Sequence, residues 1–163
     1  MAVTANQLIK KQEDCRASYP VAASTHIYQG TLVFISASGY ADDDTATGVN
    51  GFVGIAVSEV DNSSGSAGDL SVEVYTDGIF ELTGTGFAQT DVGMPLYADD
   101  NYACVLSLGS TSVRIGTIVE FVSSTKHRVR IKPSNVGALE VAALTTITPA
   151  DAAGTPDYAI AAV

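Results

Sequence analysis

Residues 68–86, GDLSVEVYTDGIFELTGTG, decide the fold class. Leu70, Val72 and Val74 alternate with Ser71, Glu73 and Tyr75, the period of a strand with one face buried and one face wet. Thr76-Asp77-Gly78 reads as a turn, because Asp tolerates left-handed backbone and Gly adopts it without steric cost. Phe80 and Leu82 then resume the alternation against Ile79 and Glu81. The stretch is read as a β-hairpin, and the chain on either side of it extends the same pattern.

Thr25–Tyr28 and Thr31–Ser36 are apolar, β-branched runs separated by Gln29-Gly30, and 51–58 (GFVGIAVS) is a third run in which Phe52 or Val53, with Ile55, selects the buried face. Between these runs lie a loop tipped by Asp42-Asp43-Asp44 and a connection, DNSSGSAG at 61–68, with no core residues. Beyond the central stretch, Leu96–Ala98 and Tyr102–Leu106 form a second hairpin around Asp99-Asp100-Asn101. Arg114–Val122 and His127–Ile131 close the compact region across Ser123-Ser124-Thr125. About eight or nine short strands with frequent turns predict an all-β domain, a small antiparallel barrel or sandwich. The domain spans residues 25–133.

Two flanks differ from this body. Residues 1–24 read as an extended N-terminal arm: Thr4-Ala5-Asn6-Gln7 resembles a capping box, but the segment is too short to be helical alone, and Tyr19-Pro20 forces extended backbone. Residues 134–163 are rich in Ala and Thr, contain no Lys or Arg, and supply no second core, so they read as a tail.

Charge is distributed unevenly. The formal net charge is −10, yet no Lys or Arg occurs between Ala17 and Val113, where twelve acids lie. A body of that sign repels phosphate, which excludes a nucleic-acid partner. The first twenty residues lack the apolar run of a secretory signal, and no stretch approaches the ~20 apolar residues of a membrane span, so synthesis in the cytosol and no membrane partner are expected. Cys15 and Cys104 lack metal-ligand spacing and are read as two reduced thiols.

Enzyme chemistry finds no constellation in the sequence. His26 and His127, the only histidines, sit inside strands, and no nucleophile elbow, phosphate loop or paired-cysteine motif occurs. Asp42-Asp43-Asp44 lacks the alternate spacing of a calcium loop and reads as a solvated acidic loop. No catalytic residue, metal or cofactor is therefore expected. The last strand carries Lys126, Arg128, Arg130 and Lys132 on one face and His127, Val129 and Ile131 on the other. Four cations in a row protect an edge, or pair with some of the twelve acids of the preceding stretch on a neighbouring strand or subunit.

The succession GTLVFISASGY, GFVGIAVSEV, GDLSVEVYTDGIFELTG, DVGMPLYADDN, RIGTIVEF and HRVRIKP, over about residues 25–132, resembles the capsid cement, or head decoration, proteins of tailed bacteriophages. The resemblance implies a structural virion protein, not an enzyme. It would sit on the outer surface of the capsid, as a homotrimer, and stabilise the expanded head by clamping neighbouring major capsid proteins. In that picture Leu8, Ile9, Lys10, Lys11, Arg16 and Tyr19 of the arm contact the capsid, and Arg128, Arg130, Lys132, Glu73 and Glu81 are subunit contacts. The tail, which resembles a segment of phage head-fibre proteins, supports an alternative: a fibre-associated or adhesin-like β module on the virion surface.

Overall fold

Eleven strands and no α-helix make up the residues that the computed structural model describes, namely 5–7, 15–44, 50–107, 109 and 112–133. In chain order they are β1 (Cys15–Pro20), β2 (Thr25–Ile27), β3 (Leu32–Ile35), β4 (Ala41–Asp42), β5 (Gly51–Ala56), β6 (Val60–Asn62), β7 (Ser71–Gly84), β8 (Pro95–Ala98), β9 (Ala103–Val105), β10 (Val113–Ser123) and β11 (Lys126–Ile131). The all-β class agrees with the sequence. The sheet is mixed and not purely antiparallel, because β7 and β9 pair in parallel.

The central stretch is not a hairpin. Residues 71–84 form one continuous strand of 14 residues that runs straight through Thr76-Asp77-Gly78. The reason is parity. Val72, Val74, Gly78, Phe80, Leu82 and Gly84 all occupy even positions and all are buried, so the period of two is never interrupted as a hairpin would interrupt it. The Asp-Gly signal marks a bulge instead: the register against β1 slips between Arg16↔Tyr75 and Cys15↔Asp77, and Gly78 adopts φ 136° just beyond it.

That long strand belongs to two rings. Its C-terminal half pairs with β11 on one edge and β9 on the other, and the path β7-β11-β10-β8-β9-β7 closes a five-stranded barrel. Its N-terminal half pairs with β1 and β5, and β5 continues to β3 and β4. A parallel bridge from Val21, the residue after β1, to Ala41 of β4 closes this second, smaller ring. Residues 15–20, assigned to the arm on sequence grounds, are thus part of the sheet. β2 and β6 form a separate two-stranded sheet.

Each ring has its own core. The larger contains Leu32, Phe34, Phe52, Ile55, Phe80, Leu82, Leu96, Ile115, Ile118, Val129 and Ile131 among others; the smaller contains Val21, Ile27, Val33, Ala41, Val53, Ala56, Val72 and Val74. β3 and β5 lie between the two cores and are buried on both faces, which is why LVFI and FVGIA read as unbroken apolar runs. No single face of 51–58 is selected. Phe52 and Ile55 face the larger core while Val53 and Ala56 face the smaller. The odd spacing of 52 and 55 is absorbed by a bulge at Val53-Gly54, where the register against β3 slips. Gly54 is obligatory there: a Cβ would be driven into the carbonyl oxygen of Tyr75 on β7.

Candidate interaction surface

β7 and β11 pair from Lys126↔Thr83 to Ile131↔Gly78, so the alternate residues of both strands that do not point into the barrel form one outer wall. β1 extends the wall along the first half of β7, and β10 extends it beyond β11. Antiparallel register sets Arg128 opposite Glu81, which brings side chains of opposite sign within reach across strands, and Arg16 opposite Tyr75, which sets a cation beside an aromatic ring.

The cations of the last strand are paired within the chain. Lys126 Nζ donates to Glu81 Oε1 at 2.9 Å, Arg128 Nη1 donates to Glu120 Oε2 at 2.7 Å, and Arg130 Nη1 lies 3.8 Å from Asp77 Oδ1. Arg16 Nη1 donates to Glu73 Oε2 at 3.3 Å, and its guanidinium lies 5.1 Å from the centre of the Tyr75 ring. The Lys126 ammonium is held above its ordinary range by the hydrogen bond it donates to Glu81 and by that carboxylate's charge. Lys132 is exposed, and its backbone N–H donates to the Ile115 carbonyl. Tyr19 is half-buried in β1, opposite Val72, and packs on the smaller core. Leu8, Ile9, Lys10 and Lys11 lie outside the described residues.

Charge on the described residues is therefore segregated. The wall carries Arg16, Lys126, Arg128 and Arg130 against Glu73, Asp77, Glu81 and Glu120, and is neutral by pairing. The rest carries Asp42, Asp43, Asp44, Glu59, Asp61, Asp69, Asp91, Asp99 and Asp100 against Arg114 and Lys132. Surface pairs of this kind contribute little stability each, roughly 0–1 kcal/mol. Their effect lies in the field: one face of an acidic protein can approach another surface without long-range repulsion.

Beside the end of this wall is an apolar patch that sequence reading missed. Val92, Met94, Val119 and Val122 are all exposed. Val92 and Met94 are brought beside Val119 because the Gly93 N–H donates to the Ile118 carbonyl and the Ile118 N–H donates to the Met94 carbonyl, tying the 92–94 segment to β10, with Val122 further along the same strand. A single 3₁₀ turn at Gln89–Asp91 precedes the segment. Asp91 holds that turn by accepting from the Ala88 N–H at 2.7 Å, and its carboxylate lies 3.4 Å from Nε2 of the fully buried His127. Phe87 stacks on the His127 ring with 4.2 Å between centres, so this histidine is a core residue. His26, in contrast, lies 2.9 Å from Glu59 at the surface.

The acidic loop has a structural connection. Asn101 Nδ2 donates to Asp43 Oδ2 at 3.2 Å, and the Leu32 N–H donates to the Asn101 carbonyl, so the β8–β9 turn is tied both to the loop and to β3. Burial, and then the charge of Asp42, pushes the Asp43 carboxyl above its ordinary value of 3.8. A raised acid disfavours the charged form in the folded state, so its cost is present above the folded pKa and is relieved as pH falls through it. Asp43→Asn is expected to raise the melting temperature at pH 7, where the wild-type carboxylate carries its full burial cost; thermal unfolding of the two proteins side by side checks it. Cys104 is buried in the larger core, where burial raises its thiol strongly, and Cys15 is exposed on β1; both are free thiols.

The features that stand out are thus a charge-neutral wall, an apolar patch at its edge, and an acidic remainder. A family model described as phage cement protein matches residues 11–133. A search of curated proteins finds no match.

Proposed function

This chain belongs to the phage cement protein family, and from that premise we propose that it binds the outside of the phage head and clamps neighbouring major capsid proteins after expansion. A capsid-associated structural role follows from the family itself. The finer reading is supported by the segregation of charge, with the paired wall of β1, β7, β10 and β11 facing protein and the acidic remainder facing water. Several copies joined as a homotrimer, with Arg128, Arg130, Lys132, Glu73 and Glu81 near the contact, would bind with avidity even where each contact is weak. Leu8, Ile9, Lys10 and Lys11 supply the arm contacts to the major capsid protein, and Arg16 joins them from β1 in the wall.

The test is to mix purified protein with expanded, undecorated heads of its own phage. Stoichiometric decoration is expected, and its absence overturns the reading. Because residues 15–20 are a strand of the domain, the informative truncation stops before Cys15. Removing residues 2–13 is expected to weaken decoration at least about tenfold, the loss of roughly one charge-assisted hydrogen bond or more, and to leave the unfolding transition of the domain in place. Protection of the C-terminal segment on heads, with no protection of the N-terminal one in limited proteolysis, would instead favour a fibre-associated module.

A further inference from the structure

The N-terminal segment at 5–7 lies against the body of the protein and is held there by a small set of polar groups. Asn6 uses both ends of its carboxamide: Nδ2 donates to Glu59 Oε2 at 2.7 Å, and Oδ1 accepts from the Gln29 N–H at 3.2 Å. The Gln7 N–H donates to the Gln29 carbonyl at 2.8 Å. The other oxygen of Glu59, Oε1, lies 2.9 Å from Nε2 of His26, whose ring stacks on Tyr28 with 4.1 Å between centres. One carboxylate therefore joins the segment to β2. Ala5, Asn6 and Gln7 belong to neither core, so among the described residues the segment is joined to the body by polar contacts.

We propose that Glu59 is the release catch of the N-terminal segment: while its carboxylate is intact the segment stays docked on β2 and the turn that follows it, and when the carboxylate is lost the segment detaches and the domain stays folded. Ordering three residues costs conformational entropy that a few exposed hydrogen bonds offset only narrowly. The docked state is thus poised, and one charge-assisted pair decides it. The groups facing Glu59 are His26 on β2 and Asp61, which stands opposite His26 on β6, with Tyr28 behind the imidazole. Hydrogen bonds from Asn6 and then His26 hold the Glu59 carboxyl below its ordinary value of 4.5, while Asp61 opposes them. A lowered acid stabilises the docked state above its ordinary pKa, and that contribution disappears as pH falls through the lowered value.

The catch rests on this geometry alone; only its consequence, freeing the arm for the shell, rests on the reading above. Amide hydrogen exchange of the full chain at pH 6, followed by NMR, tests it without heads. In Glu59→Ala the Gln7 and Gln29 amides are expected to exchange roughly tenfold faster, the loss of about one charge-assisted bond, while amides of β7 and β11 keep their protection. Asp61→Asn, which alters an acid that does not touch the segment, is expected to leave Gln7 protected. Acidifying the wild type until the Glu59 carboxylate is protonated should reproduce the Glu59→Ala pattern relative to intrinsic exchange, and acidifying the variant over the same range should add nothing. Unchanged protection of Gln7 in Glu59→Ala, or an equal loss across β7 and β11, overturns the proposal.

Discussion

Phe80→Ala is expected to destabilise the domain by about 3–5 kcal/mol, the range for deleting a buried aromatic ring and leaving the space behind it. Phe80 is fully buried on β7, past the bulge, where the strand has moved from the smaller core to the larger. Its ring lies 5.6 Å from that of Tyr75, the residue of β7 that touches the larger core from the opposite face. The cavity would therefore open where β7 changes cores, with the closed barrel allowing little collapse. A fall in melting temperature of roughly 10–20 °C follows for a domain of this size. Urea unfolding checks it: the midpoint should fall with little change in slope. A loss under about 1 kcal/mol would mean that the ring is not the packing element described.

Gly54→Ala should cost roughly 3 kcal/mol, the upper end of the usual range for bulk inserted into a packed interior. The added methyl meets the Tyr75 carbonyl oxygen and the Val74 side chain, and a backbone oxygen in a paired strand cannot swing away as a flexible side chain does. Relief would require β5 and β7 to separate at Ile55↔Tyr75, where the two cores adjoin. Gly51, at the start of the same strand, is the control. A Cβ there meets nothing within 4 Å, so Gly51→Ala should lie within about 1 kcal/mol of wild type. Equal melting temperatures for the two variants would contradict the close approach at Gly54.

How much of this was legible in the sequence depends on which signal is followed. The all-β class was legible from alternation and turn residues, and so was the β8–β9 hairpin around Asp99-Asp100-Asn101. The reading of 76–78 as a turn gave an Asp-Gly pair more weight than the parity of Val72, Val74, Phe80 and Leu82, which already pointed to one unbroken strand. A local turn propensity lost to burial on one side over the whole length of the strand. The two-sided burial of β3 and β5 was present in their unbroken apolar runs, but a second core cannot be inferred from one strand alone. In the candidate surface, the run of alternating cations on the last strand was legible, but which acid meets which cation was not, because Glu81, Glu120 and Asp77 come from two other strands. The apolar patch was not legible either, because Val92 and Val119 are far apart in sequence and meet only through the backbone bonds of Gly93 and Ile118. The buried pair of Asp91 and His127 was hidden for the same reason.

A strand shared by two rings also has a cost in time. β7 is complete at residue 84, yet the strand that closes the larger barrel against it begins at residue 126. At roughly 5–20 residues per second of synthesis, those 40 or so residues take on the order of 2–8 seconds to add. Throughout that interval one edge of the C-terminal half of β7, with Phe80 and Leu82 on its inner face, waits for β11, its partner among the described residues. The nascent chain thus presents an apolar, unpaired edge for seconds before β11 arrives, which makes that edge a site for wrong pairing during synthesis.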